Sequence, residues 1–168
     1  KTGNLPKHDV LSQPKAYVVG EFWQNKLLSA QKDWFTYNHL GIVYYALDKI
    51  EDAKKYFNLS IQDSKNCWAY RNLAMIEQNI EFNYLSASTN MLNAVALNKD
   101  YLPLIVECAY SLIKAKRYQD YVDLYFTLND TIKANGRVKM LLGACYAKLG
   151  ILDKAIDIIN KDLVVDDI

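Results

Sequence analysis

Residues 33–60, DWFTYNHLGIVYYALDKIEDAKKYFNLS, carry two apolar stripes of helical period with a short polar break between them. Leu40, Gly41, Tyr44 and Leu47 share the first stripe, Asp48 to Glu51 form the break, and Ala53, Tyr56 and Phe57 form the second. This spacing predicts two helices joined by a tight turn. Gly41 and Ala53 are small enough to let two helix backbones approach, while Tyr44 and Phe57 fill the gaps around the crossing. Asp33 is placed to cap the first helix. Asp48 with Glu51 has the spacing of a capping box for the second, with Asp in place of Ser or Thr.

The same pattern recurs along the chain. CWAYRNLAMIEQ, from Cys67, gives Trp68, Leu73 and Ala74, and the returning helix gives Ala87, Met91, Ala94 and Leu97. The Ala87–Met91 pair comes one residue late, which predicts an extra residue in the turn around Glu81 to Tyr84. In YLPLIVECAYSLIKAKRYQDYVDLYFTL, from Tyr101, Ala109 is the small residue and Leu112 the filler, but Tyr121 and Tyr125 stand where Ala and Phe stood before. A tyrosine at a close crossing predicts splayed helices or a shifted register. Asp100 is placed to cap this hairpin, and Pro103 falls in a first turn that does not need its missing N–H. NDTIKANG then reads as a polar connection with a turn at Asn135-Gly136. GRVKMLLGACYAKLGILDKAIDII returns to the first pattern, with Leu142, Gly143 and Tyr146, a helix stop at Gly150, then Ala155 and Ile159. Gly41, Ala74, Ala109 and Gly143 are separated by 33, 35 and 34 residues.

Leu-Gly-x2-Tyr followed by Ala-x3-Phe, repeated on that beat, resembles the tetratricopeptide repeat (TPR) family. The resemblance covers about four-fifths of the chain. It implies an all-α fold, a right-handed TPR superhelix of four helix hairpins plus one preceding helix. The expected organisation is a linker or remnant of a preceding domain at residues 1–13, then a TPR domain at 14–168 with repeats near 34–66, 67–100, 101–135 and 136–168. The preceding helix is expected from Pro14, where Tyr17, Val18, Phe22, Trp23, Leu27 and Leu28 begin to recur at helical spacing.

Composition narrows the function. The chain has 51% apolar residues, 13 tyrosines, 6 glycines and 3 prolines, which suits short loops and a continuous helical core. Its net charge is +1 with both signs interspersed, and its densest basic run, Lys114, Lys116 and Arg117, lies at an expected turn, so no nucleic-acid partner is predicted. The longest apolar run, Ile42 to Leu47, falls far below the ~20 residues of a membrane span, and no membrane partner is predicted. Cys67, Cys108 and Cys145 have no CxxC spacing and fall in or beside apolar stripes; buried thiols and a reducing, cytoplasmic compartment follow as expectations. A start without Met and the terminal LVVDDI read as those of a piece cut from a longer protein.

Catalysis needs convergent ionisable groups, and the inventory is thin. The two histidines are His8, in the linker, and His39, which has no ligand-type residue at helical spacing. The phosphate-binding, dinucleotide-binding and nucleophile-elbow glycine motifs are all missing. No enzyme activity, metal or cofactor is predicted.

A repeat stack can instead present a concave wall, built in TPR arrays mainly by the first helix of each hairpin. Helical-wheel positions put Phe35, Asn38, Ile42 and Tyr45 on it, then Trp68, Arg71, Met75 and Gln78, then Val106, Tyr110 and Ile113, then Met140 and Ala144. The candidate peptide-binding residues are Asn38, Tyr45, Trp68, Arg71, Gln78 and Tyr110. Trp68 and Tyr110 would anchor apolar groups and Arg71, Asn38 and Gln78 would supply hydrogen bonds. The competing reading buries those aromatics between neighbouring helices.

TPR domains that hold acidic chaperone tails use a carboxylate clamp of Lys, Asn and Arg. Asn72 matches one of its positions, but Asn38 and Ile42 stand where Lys and Asn would be, and Pro103 and Val106 where Lys and Arg would be. Chaperone binding is therefore not predicted. WFTYNHLGIVYY, NCWAYRNLAM and GRVKMLLGACYAKLGILDKA also resemble the C-terminal TPR region of large bacterial proteins whose N-terminal part is a β-rich, carbohydrate-active-like domain. Two functions follow as expectations. One is a non-catalytic scaffold binding a protein or peptide, including the protein's own N-terminal domain. The alternative is an accessory module that positions or oligomerises such a carbohydrate-active domain.

Overall fold

The Asp33 carboxylate accepts a hydrogen bond from the Thr36 amide at 2.7 Å, and helix α2 (Trp34–Ala46) begins there, capped as the sequence predicts. A computed structural model describes residues 8–13 and 16–160 of the chain. After α1 (Glu21–Ser29) and α2 come α3 (Ile50–Asp63), α4 (Cys67–Asn79), α5 (Tyr84–Leu97), α6 (Leu102–Lys114), α7 (Tyr118–Thr127), α8 (Asp130–Ala134), α9 (Gly136–Lys148) and α10 (Leu152–Ile159). No strand occurs among the described residues. The pairs α2/α3, α4/α5 and α9/α10 pack as hairpins, and α3 on α4 and α5 on α6 join successive hairpins into one stack.

The first crossing is as close as its glycine allows. A β-carbon on Gly41 would lie 2.5 Å from two ring carbons of Phe57, a ring only 2% exposed. Ala53, Ala74, Ala87, Ala109 and Ala155 are all buried at the corresponding positions. Fully burying the Phe57 ring contributes about 2–3 kcal/mol, so the crossing is a main source of the hairpin's stability.

The first helices of all four hairpins stop at a left-handed residue: Asp48 (φ 58°), Phe82 (φ 54°), Lys116 (φ 58°) and Gly150 (φ 77°), each 34 residues after the last. Behind α2 the Asp48 amide bonds the Tyr45 carbonyl and the Lys49 amide bonds Tyr44, the paired closure of a Schellman stop. Lys116 and Arg117 repeat these bonds on Ile113 and Leu112, and Gly150 and Ile151 on Ala147 and Tyr146. The expected extra residue sits in the stop behind α4, where the Glu81 amide reaches Ile76 and the Asn83 amide reaches Glu77.

Several local expectations need correction. Asp48 and Glu51 form no capping box: Asp48 closes α2, and Lys49 holds the cap position of α3 without a side-chain cap bond. Asp100 does not cap α6; it accepts a hydrogen bond from the Asn129 amide nitrogen at 2.7 Å, and Tyr101 occupies the cap position. NDTIKANG is not a bare connection, since Asn129 caps the extra helix α8 and Asn135 caps α9, whose first residue is Gly136. The preceding helix starts at Glu21, after Gly20 at φ 91°, and residues 16–19 are not helical. Pro14, residues 1–7 of the linker and the terminal LVVDDI lie outside the described residues.

Tyr121 splays the third hairpin in the sense its bulk predicts. It is fully buried, its hydroxyl donates to the Val138 carbonyl at 3.1 Å, and α7 packs more extensively on α9 than on its own partner α6. The three cysteines are buried and unpaired. Burial raises the Cys67 thiol pKa and pushes Cys108 up to about 12 and Cys145 up to about 11, which keeps them protonated core residues at neutral pH.

The two structural glycines are not equivalent. A β-carbon on Gly143 would meet Ile158 at 3.4 Å, an ordinary contact, while Gly41 has no such room. Gly143→Ala should therefore stabilise the fold by about 0.5–1 kcal/mol through helix propensity. Gly41→Ala should destabilise it by about 1–2 kcal/mol, overpacking outweighing the same gain. Paired urea titrations check the opposite signs; equal shifts would mean that the Phe57 contact does not constrain the crossing.

Candidate functional site

The first helices α2, α4, α6 and α9 carry the predicted wall, and along it α2 and α4 leave a groove of about 240 Å³. Ile42 and Tyr45 line it from α2, Arg71, Asn72, Met75 and Asn79 from α4, Phe57 from α3, and Tyr17 from the segment before α1. Its surface is mostly apolar, with two amides and one guanidinium.

Arg71 is held in place by its neighbour hairpin. Its Nε and Nη2 donate to the two carboxylate oxygens of Glu107 on α6, at 2.6 and 2.5 Å, a bidentate pair across two repeats. The pair leaves the groove without a net charge at this point. Asn72 lies one layer deeper: its amide nitrogen donates to the Asn38 oxygen at 3.2 Å, and Asn38 itself is fully buried.

The predicted residues therefore separate. Tyr45 (45% exposed) and Arg71 meet in the groove. Tyr110 is 42% exposed, one repeat further along, and outside the residues lining the groove. Trp68, expected as an anchor, is corrected to a core residue: it is 4% exposed and packs edge-on against Tyr101, with ring centroids 5.5 Å apart. Asn38 supports Asn72 from below rather than meeting solvent, and Gln78 is half-buried with its amide nitrogen 3.4 Å from Asn79. Among the described residues no cluster of three His, Cys, Asp or Glu could hold a metal, and no helix is long and apolar enough to cross a membrane.

Sequence reasoning missed Tyr17, Asn79 and Glu107. Glu107 was legible in principle, since Arg71 and Glu107 occupy nearby positions on successive first helices. Tyr17 was hidden because its spacing with Val18 and Phe22 reads as helix.

A scan against family profiles and a comparison with curated proteins give no match. Solved structures do match in fold. MamA of AMB-1, in a P212121 crystal form, aligns with TM-score 0.62 at 16% identity, covering 82% of this chain and 78% of that chain. A second crystal structure of MamA protein aligns with TM-score 0.62 at 19% identity and the same coverage. The chain thus has the TPR-type helical-repeat fold.

His39 gives the wall a pH signature. It is buried on α2 between Phe35 and Tyr17, with ring centroids at 4.4 and 6.2 Å, and neither ring nitrogen has a hydrogen-bond partner. Burial, assisted by the nearby His8, lowers its pKa from 6.5 to about 4. The unfolded chain therefore binds a proton that the folded chain rejects, and the stability present above pH 6.5 is lost as the pH falls towards 4. At pH 4.5 this loss is about 2–3 kcal/mol. Urea titrations at pH 7 and 4.5 should show it in the wild type, and His39→Leu should remove that increment; an unchanged pH dependence in the variant would assign it to other groups.

Proposed function

We propose that this chain is a non-catalytic protein-interaction scaffold that binds an extended polypeptide on its concave face, centred on the groove between α2 and α4. The observation that carries this reading is the groove itself, a concavity lined by Ile42, Tyr45 and Met75 with Asn72 and Asn79 at hand to hydrogen-bond a peptide backbone. Apolar anchors with a few convergent polar groups are what a peptide-recognition surface needs. The TPR-type fold agrees with it, because a stack of hairpins offers such a wall without catalytic machinery. Acidic tails are poor candidates, since Arg71 already satisfies the Glu107 carboxylate.

Selection from a random-peptide display library on the immobilised full chain tests the proposal. Enriched peptides should carry aromatic residues, and their affinity should fall at least about ten-fold in Ile42→Asp, equivalent to about 1.4 kcal/mol. A Phe126→Asp control, on the exposed side of α7, should bind unchanged. Binding that survives Ile42→Asp while Phe126→Asp abolishes it would move the interaction off the concave face.

A further inference from the structure

His8, Val10 and Tyr17, which precede α1, touch side chains of α2 beside the groove. The His8 ring stacks on Phe35 of α2, with centroids 3.7 Å apart and planes 13° from parallel. Val10 packs with Phe35 against the main core cluster. Further along, Tyr17 lines the groove and tilts onto His39, while its neighbour Val18 turns to the small core around Leu27, Leu40 and Val43. Opposite directions for neighbouring side chains are those of an extended strand, not a helix.

Resting on the concave-face reading, we infer that Tyr17 and its neighbours 16–19 are a resident occupant of one side of the peptide groove, and that the partner they yield to is an extended polypeptide whose tyrosine takes the place of Tyr17. The chemistry of the site fits a phenol. Ile42 and Met75 accept an aromatic body, and the amides of Asn72 and Asn79 and the neutralised Arg71–Glu107 pair suit an uncharged polar tip. A carboxylate at this point would meet Glu107 beside the arginine. The resident segment is also shallowly seated: Tyr17 is 49% exposed, and the groove keeps its open volume beside it. A weakly held occupant lowers a competitor's apparent affinity by the fraction of time the groove is filled, and its removal restores that affinity.

The test uses a fluorescently labelled synthetic peptide of residues 8–19, HDVLSQPKAYVV, titrated by anisotropy into the full chain. Tyr17→Ala should bind it about ten-fold more tightly than the wild type does, as expected of a ring that covers its own side of the groove about nine-tenths of the time. A peptide with Ala in place of its tyrosine should not bind, and Ile42→Asp on the Tyr17→Ala background should abolish binding, with circular dichroism confirming that both variants stay helical. Equal affinity for wild type and Tyr17→Ala would overturn the inference. If library-selected peptides nonetheless lost affinity on Ile42→Asp, the concave-face reading would stand and only the resident occupant would fall. Binding of the labelled peptide that ignored Ile42→Asp would overturn both.

Discussion

The Phe57 ring comes within 2.5 Å of where a β-carbon of residue 41 would be, and the stack grows from that close approach. It fixes the distance between α2 and α3 and, through Ala53, the depth at which the returning helix sits. Once the first hairpin is set, α4 packs on α3, and buried small residues recur in the later hairpins at Ala74, Ala87 and Ala155. Where the rule is broken, at Tyr121, the hairpin opens and the displaced α7 finds its packing on α9 instead. Packed cores answer changes of bulk by moving whole elements, because their interiors leave no slack.

Much of this was legible because crossing residues act through size, and size is written in the sequence. Gly41, Ala53, Phe57 and Tyr121 do in the fold what their volumes predict. The turn geometry was less legible. Left-handed residues recur every 34 positions, a stricter beat than the crossing residues keep, yet only Gly150 among Asp48, Phe82, Lys116 and Gly150 announces itself by type. The other three are held in that conformation by the backbone bonds that close each helix, at a local cost that the stack offsets. Asp48 and Asp100 looked like caps for the same reason: a short polar side chain signals the end of a helix without saying which end it serves.

The candidate site divides along similar lines. A helical wheel assigns faces, so it placed Tyr45, Arg71, Ile42 and Met75 on the wall, and the groove gathers those residues. It does not resolve depth: it assigns Trp68 and Asn38 to the wall, and the fold buries both. Depth depends on how closely neighbouring hairpins stack. Nor does a wheel find a residue that arrives from outside the repeats. Tyr17 reaches the groove because Gly20, at φ 91°, keeps residues 16–19 from joining α1.

Under the proposed function, the first helix of each hairpin carries recognition and the returning helices hold those helices in place. Amide chemical shifts of the full chain, recorded while an extended tyrosine-bearing peptide is added, test that division most directly. Changes should concentrate on Ile42, Tyr45, Arg71, Asn72, Met75 and Asn79, with Tyr17 shifting as it leaves. Changes concentrated instead on α3, α5, α7 and α10, with the inner helices silent, would contradict the assignment of the concave groove as the binding surface.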